Sequence, residues 1–417
     1  MTGTARMFLG LVGGAAAGLV LARVAPAVAA HAVAVAEPLG TLWLHALQMT
    51  VVPLIVSLLV VGVAQAADIA ATGRIARRSL AWILLLSTAA AALSAVITPR
   101  FLAAMPRSAA LAEVLDGATA AAQPAVPPSA ADRLTALVPT NVVAAAANGA
   151  VAPLVFFTLC FALALATLES QRRHAVVELA QTVADAMTRI VGWVLRAGPL
   201  GVAALILPVT VRAGGAVLGA LGIYVLLLIT VNLVITALLY CLARFGRGES
   251  LATFAAAILP AQAVAAGTQS SLASLPAMLE ATRRLGYPAA TCALVLPLAV
   301  SLFRVTSPAQ YVAIAGFLAW AQGVELATGV VVVAVLMSVV ISLGSVGLPG
   351  QASFMGTVLP VVQAAGLPVE PLGLLLAVDL VPDVFATVGN VTGDLVLTSR
   401  IARAESPSRP MMDGRSS

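Results

Sequence analysis

Five oxygen-bearing side chains follow one another near the end of the chain. They are Asp379, Asp383, Thr387, Asn390 and Asp394, spaced 4, 4, 3 and 4 residues apart, which places them on one stripe of an α-helix. The surrounding sequence is apolar, and insertion scales assign an ionised carboxylate at the bilayer centre a cost of roughly 2.5 to 3.5 kcal/mol. Such carboxylates normally face a cavity or bind something. The alternatives are that they pair with a buried arginine, or that Asp394 lies near the interface.

Two further residues extend this pattern. Pro382 has no amide hydrogen, so we expect it to loosen the helix one turn earlier and to free carbonyls around Val378 and Asp379, which are suitable cation ligands. Arg304 is the basic residue deep in an apolar segment, and the small polar residues and proline around it indicate an unwound point in a spanning helix. We therefore expect Arg304 to be the partner of the aspartate stripe.

Two hydrophobic stretches in the second half of the chain, residues 265–276 and 341–350, are interrupted by small polar residues, glycine and proline. Helix breakers at membrane depth are tolerated only where protein or a watery cavity covers the freed backbone groups. A pair of such interruptions points to a transporter binding site. The pattern predicts two re-entrant hairpins, the first returned to the cytoplasm by Arg283 and Arg284. The alternative is that each stretch is a kinked span or an external loop.

The rest of the chain supplies a membrane context for these elements. Of its 417 residues, 61% are apolar and 9% are charged, whereas soluble domains carry roughly 25% charged residues. Apolar stretches suited to a spanning helix of about 20 residues recur at 7–29, 39–64, 79–98, 152–168, 218–242 and 289–318. The first of these is longer than the apolar core of a signal peptide, which favours a spanning helix. The sequence predicts an all-α polytopic membrane protein.

Arginines in short loops set the expected orientation. They occur at 74–78, 172–173, 244–247 and 400–409, so these loops and both chain termini are expected in the cytoplasm. The Ala- and Pro-rich segment 101–136 is predicted to be an external insertion, and residues 404–417 a disordered cytoplasmic tail. The formal net charge of +5 is distributed over these loops, so it indicates topology and not nucleic-acid binding.

Other residues argue against competing classes of protein. Three single cysteines, Cys160, Cys241 and Cys292, do not suggest a disulfide framework or metal cluster and are expected to be small core residues. Hydrolysis by a nucleophilic serine needs a base near that serine. The histidines are His31, His45 and His174, and they lie away from the serine-rich stretch. An enzyme is therefore not expected, whereas a channel or an inactive homologue remains open.

Several motifs in order resemble the glutamate transporter homologues of the dicarboxylate/amino acid:cation symporter family. The strongest is Asn390-Val-Thr-Gly-Asp394, which matches the family's helix eight unchanged. Segments 269–276 and 344–350 resemble the tips of its two hairpins, 48–64 resembles its second helix, and 138–153 its fourth segment.

The resemblance implies eight spanning helices, two re-entrant hairpins, a homotrimer and an elevator mechanism in a bacterial inner membrane. Residues 1–245 would be mainly scaffold, with spans three and six moving with the transport core at 246–403. Within that core we expect hairpin 1 at about 250–285, span 7 at about 287–318, hairpin 2 at about 326–366 and span 8 at about 370–403.

The resemblance also implies roles for individual residues. Substrate contacts would come from Ser270, Ser271, Ser307, Gly347, Pro349, Gly350, Asp383, Ala386, Thr387 and Asn390. The cation site, or its replacement, would involve Ser301, Phe303, Arg304, Val305, Ser342, Ser345, Asp379, Asn390 and Asp394, with a residual sodium site near Asn390 and Asp394. No cofactor is expected, and the coupling ion would be sodium or a proton.

Two departures from the family pattern bear on function. The family's Asn-Met-Asp-Gly-Thr motif is replaced by Phe303-Arg-Val-Thr-Ser307, which removes two oxygen-bearing side chains and introduces a permanent cation at Arg304. Ala386 replaces an arginine that clamps acidic substrates in the family. These changes favour a carrier of small neutral amino acids with altered or lost sodium dependence. The alternative is transport of acidic amino acids or C4-dicarboxylates with Arg304 as the anion clamp.

Overall fold

The computed structural model describes residues 3–106, 135, 138–244, 250–344 and 350–405, without the side chains of 3–5, 70–72 and 350–353. All regular structure in these ranges is helical. The helices are α1 Gly3–Val24, α2 Pro26–Gln48, α3 Val51–Thr72, α4 Arg74–Ala103, α5 Val142–Ala147, α6 Val151–Ala166, α7 Ser170–Arg196, α8 Gly198–Ala213, α9 Ala216–Arg244, α10 Leu251–Thr268, α11 Ser271–Arg284, α12 Ala289–Leu302, α13 Thr306–Gln322, α14 Thr328–Gly344, α15 Gly350–Ala364, α16 Leu372–Val378 and α17 Leu380–Glu405.

Several of these helices have the length and composition of membrane spans. Among the described residues, seven segments are long and apolar enough to cross a bilayer, or up to eight if α7 and α8, bent by 62°, form one span. The prediction of an all-α polytopic membrane protein is therefore confirmed. The bend follows from the sequence, because α8 begins with Gly198 and Pro199, and proline is well tolerated in the first turn of a helix.

Small residues bring α1 and α8 into close contact. Gly10, Gly14 and Gly18 lie four residues apart on one face of α1, and a Cβ at Gly14 would lie 2.7 Å from the carbonyl oxygen of Ala203 in α8. Small residues at this spacing let helix backbones approach closely in membranes. Since Gly10 meets Pro199 and Gly18 meets Thr210, the two helices run parallel.

The last helix, α17, is held along its length by α9. Asn232 lies near its start and donates to the Pro382 carbonyl at 3.3 Å. At the other end, Arg400 and Arg403 donate to the last carbonyls of α9, those of Leu242 at 2.5 Å and Ala243 at 3.3 Å. Residue numbers rise together along both helices, so α9 and α17 are parallel.

Two spanning segments are broken inside the protein. α12 ends at Leu302 and α13 begins at Thr306, and a single residue, Asp379, separates the end of α16 at Val378 from the start of α17 at Leu380. Pro382 accounts for the second break, because it cannot donate to the carbonyl of Val378. The two joints, residues 303–305 and Asp379, position the polar residues of the candidate site.

Three expectations about peripheral residues need correction. Cys160 and Cys241 are exposed and only Cys292 is buried, because the thiol is weakly polar and suits a lipid-facing surface as well as a core. Helix α17 continues to Glu405, past the expected start of the tail, and Glu405 pairs with arginines at the start of α4. The segment predicted to be an external insertion from residue 101 begins inside α4, which extends to Ala103; residues 107–134 and 406–417 lie outside the described residues.

Candidate functional site

A small cavity lies where the two helix breaks meet α15. Its volume is about 30 Å³, on the order of one or two water molecules. It is lined by Arg304, Ser307, Gln310, Tyr311, Ile314, Phe354, Thr357, Val358, Asp379 and Asp383. One permanent cation and two carboxylates therefore converge on a space that is otherwise lined by hydroxyl, amide and apolar groups.

Arg304 is the central charge of this site. It is half-buried at the joint between α12 and α13. It shares the cavity with Asp379 and Asp383, and it lies within electrostatic range of both Asp383 and Asp394. Arginine presents a rigid fork of donors that matches a carboxylate, so the same group can hold either a protein carboxylate or one from a substrate.

Side chains from other helices hold the joint between α16 and α17. Tyr224 donates its hydroxyl to Oδ1 of Asp379 at 3.2 Å. Asn232 donates to the carbonyl of Pro382 at 3.3 Å, and Gln269 to that of Leu380 at 3.0 Å. The sequence suggested the carbonyls around Val378 and Asp379 as cation ligands; the Asp379 carbonyl accepts from the Asp383 amide at 3.0 Å, and the next carbonyls, of Leu380 and Pro382, accept from the side chains of Gln269 and Asn232.

The side-chain oxygen of Asn390 also accepts hydrogen bonds from the protein itself. Its side-chain oxygen accepts from the Thr306 amide at 3.0 Å and from the Thr306 hydroxyl at 2.8 Å. Both residues are buried. This pair links the start of α13 to the middle of α17, and it takes up an amide oxygen that a cation would otherwise use.

Asp394 lies one turn further along α17 and is fully buried. Neither of its carboxylate oxygens has a hydrogen-bond partner within the described part of the chain. Beside it, Phe303 and Val305 pack onto Gly393, where an added Cβ would lie 3.1 Å and 2.9 Å from their respective side chains. Apolar groups therefore fill the space next to this turn.

The other predicted site residues whose side chains the structure describes lie outside the cavity. Ser270 caps α11 by accepting from the Ala273 amide at 3.2 Å, and Ser271 is the first residue of that helix. Thr387 and Ser342 donate to carbonyls of their own helices, at 2.8 Å and 2.7 Å.

The remaining predicted residues are placed as follows. Ser301 is half-buried in α12, and Ala386 is buried and gives its carbonyl to the Thr306 hydroxyl at 3.2 Å. Ser345, Gly347 and Pro349 lie outside the described residues, as do the side-chain surroundings of Gly350. Asp379, Asp383 and Asp394 do not form a three-residue metal cluster, and no other such group occurs among the described residues.

Sequence reasoning missed several residues that contribute to the site. Gln310, Tyr311 and Thr357 line the cavity, and their polar atoms within apolar helices were a usable signal. Tyr224 and Asn232 also stand out as polar residues inside the apolar α9. Nothing in the sequence indicated that they meet a helix joint about 150 residues further along the chain.

Broken helices that bring charged residues to an internal cavity are typical of secondary membrane transporters. The sequence matches the model of the sodium:dicarboxylate symporter family over residues 4–404. The chain belongs to this family, as the motifs indicated.

Similar proteins include symporters for acidic substrates. A proton/glutamate-aspartate symporter of Escherichia coli (strain K12) is 29% identical over 374 residues, covering 88% of this chain and 85% of that protein. A proton/sodium-glutamate symport protein of Bacillus subtilis (strain 168) is 29% identical over 383 residues, covering 90% and 87%. C4-dicarboxylate transport protein 2 of Bradyrhizobium sp. (strain ORS 278) is 27% identical over 366 residues, covering 86% and 80%.

Proposed function

We propose that this protein is a cation-coupled carrier of acidic amino acids or C4-dicarboxylates in a bacterial inner membrane. The observation that carries the proposal is the convergence of Arg304, Asp379 and Asp383 on one cavity. Arg304 binds a substrate carboxylate, and Asp383 binds the ammonium group when the substrate is an amino acid.

We prefer an acidic substrate to the small neutral amino acid that the sequence suggested. That suggestion rested on Ala386, which stands where the family has an arginine. Ala386 is buried, whereas the guanidinium of Arg304 reaches the cavity from the opposite joint. A bidentate arginine–carboxylate contact is strong and directional, so a relocated arginine can supply the selectivity contact. The similar proteins named above are described as carriers of glutamate, aspartate or C4-dicarboxylates.

Sodium is not bound at the turn between Asn390 and Asp394 in this proposal. Hard cations need several oxygen ligands, but Phe303 and Val305 supply none and the side-chain oxygen of Asn390 accepts two hydrogen bonds from Thr306. Arg304 provides a tethered positive charge in place of that ion. The coupling cation is then a proton.

Substrate binding requires movement in this proposal. A cavity of about 30 Å³ is too small for a dicarboxylate of eight or more non-hydrogen atoms. Phe354, Thr357 and Val358 of α15 form one wall, and α15 follows the second interrupted stretch. We assign the two interrupted stretches to re-entrant hairpins that gate the site, within a trimeric elevator whose termini face the cytoplasm.

Competition for uptake into proteoliposomes tests the substrate. We expect labelled aspartate or succinate uptake that serine, alanine and threonine do not inhibit, and that persists when choline replaces sodium under an inward proton gradient. Inhibition by the neutral amino acids, without inhibition by succinate or aspartate, would refute the anion clamp. An absolute sodium requirement would refute the tethered cation.

Substitution of the arginine tests its role. Arg304→Gln should abolish anion uptake, whereas Arg304→Lys keeps the charge but loses the fork and should retain a small fraction. Arg212→Gln is the matched control, because Arg212 pairs with Glu37 at 2.8 Å on the α2–α8 surface and does not line the cavity. Equal uptake by Arg304→Gln and Arg212→Gln would exclude Arg304 from substrate binding.

A further inference from the structure

The joint between α16 and α17 receives three hydrogen bonds from side chains of other helices. Tyr224 reaches Asp379 at 3.2 Å, Gln269 reaches the carbonyl of Leu380 at 3.0 Å, and Asn232 reaches that of Pro382 at 3.3 Å. Their targets lie within four consecutive residues, which also include the point where the helix is broken.

Two of the donors belong to a polar face of α9. Tyr224, Asn232 and Thr236 are spaced eight and four residues apart, so they lie on one side of the helix. Tyr224 and Asn232 are fully buried. The side-chain oxygen of Asn232 has no hydrogen-bond partner in the described part of the chain, and such a group destabilises a folded protein. An apolar residue would avoid this cost, so the donation to Pro382 is the feature that accounts for an asparagine here.

The third donor comes from the tip of the first interrupted stretch. Gln269 directly follows α10 as its C-cap residue, in the left-handed conformation with φ of 52° and ψ of 34°, and it is the non-glycine residue with positive φ among those described. Non-glycine residues held in this region are strained and cluster at functional sites. This conformation places the Gln269 side chain against the joint and not along its own helix.

We propose that Tyr224, Asn232 and Gln269 are positioning residues of the transport site, which fix the α16–α17 joint and thereby aim Asp379 and Asp383 at the cavity shared with Arg304. They act through the joint and do not line the cavity themselves. The inference rests on the proposed transport function only for its kinetic consequence. Its structural consequence can be measured on the purified protein without any substrate.

Loss of one donor should loosen the joint and weaken substrate binding. A hydrogen bond contributes about 0.5–1.5 kcal/mol net, which corresponds to an about two- to tenfold rise in KM. The maximal uptake rate should change less, because a raised KM with an unchanged rate signals lost binding in both ground and transition states. A residue that only supports the fold would instead lower the amount of active protein, and with it the maximal rate.

The experiment compares Asn232→Leu and Gln269→Met with the matched control Thr236→Val. The control removes a hydroxyl from the same face of α9, but that hydroxyl donates within its own helix, to the carbonyl of Asn232 at 2.8 Å. Hydrogen–deuterium exchange is measured on a peptide covering the joint and on peptides of α8, in protein reconstituted without substrate. Initial rates of aspartate and succinate uptake are then measured over a range of concentrations.

We expect faster exchange at the joint in both test variants, unchanged exchange in α8, and a raised KM, with wild-type behaviour for Thr236→Val. Unchanged exchange at the joint would overturn the proposal, and so would KM values within twofold of the wild type. If the wild-type protein transports neither substrate, the proposed function fails while the exchange measurement still decides the positioning role. If a variant unfolds, Tyr224→Phe replaces it. This substitution removes only the hydroxyl that donates to Asp379 at the same joint.

Discussion

Two adjacent glycines in α1 provide a sharp test of the helix packing. Gly14 faces α8, and an added Cβ would lie 2.7 Å from the Ala203 carbonyl oxygen and 2.8 Å from its Cα. Gly13 is the preceding residue in the same helix, and a Cβ there would meet nothing within 4 Å. The substitutions Gly13→Ala and Gly14→Ala therefore add the same methyl group to the same helix and differ only in whether that group meets α8.

The expected magnitudes follow from these distances. Carbon atoms pack best at about 3.5–4.0 Å, so Gly14→Ala must push α1 and α8 apart by about 1 Å. Overpacking of this kind costs about 1–3 kcal/mol. Gly13→Ala gains about 0.8–1.0 kcal/mol of helix propensity without a clash. Gly14→Ala gains the same propensity, so the two variants should differ in stability by the overpacking cost alone, about 1–3 kcal/mol, with Gly14→Ala the less stable.

Thermal unfolding of the purified variants in one detergent measures this difference. We expect the melting temperature of Gly14→Ala to fall below that of the wild type, and that of Gly13→Ala to equal or exceed it. Equal melting temperatures for the two variants would refute the close parallel contact of α1 with α8.

Three further predictions concern the site and the surface. Thr306→Val should destabilise the protein by about 0.5–1.5 kcal/mol, because it removes the 2.8 Å hydroxyl bond to the buried Asn390 oxygen but keeps the bond from the Thr306 amide, and Thr306→Ser should recover most of that loss in the same unfolding assay. Phe303→Asn combined with Val305→Asp restores two oxygen-bearing side chains, so uptake should become stimulated by sodium relative to choline; no stimulation would contradict our account of the missing ligands. Glu405→Gln should shift the melting temperature little, because exposed ion pairs contribute about 0–1 kcal/mol and its partners in α4 are 74% and 45% exposed.

The sequence was sufficient for the features that depend on local chemistry. Hydrophobic stretches of spanning length predicted a polytopic helical protein. Pro382 predicted a break in the last helix, and the chain breaks at Asp379. The polar residues around Arg304 predicted an unwound point, and residues 303–305 separate α12 from α13. In each case one residue or a short run decides the local backbone conformation.

Features that depend on distant residues were not predicted. The bent pair of α7 and α8 was absent from the hydrophobic stretches, because α7 is amphipathic and the two helices meet at a 62° bend. The spacing of Gly10, Gly14 and Gly18 was a usable signal for close packing, but it does not name the partner helix. The donors at the α16–α17 joint are separated from their targets by 111 to 155 residues, and one sequence contains no information on such pairs.

The placement of the native cysteines allows a distance within the protein to be measured by spin labelling. Cys160 on α6 and Cys241 on α9 are exposed, whereas Cys292 is buried. Spin labels attached to the two exposed thiols would therefore report the separation of α6 and α9 without any substitution. α9 is hydrogen-bonded to α17 at both ends and so moves with the proposed transport core, whereas α6 lies in the part of residues 1–245 expected to be scaffold. The elevator proposal therefore predicts two distance populations whose ratio shifts when aspartate is added. A single population that does not respond would show that α6 and α9 move as one body.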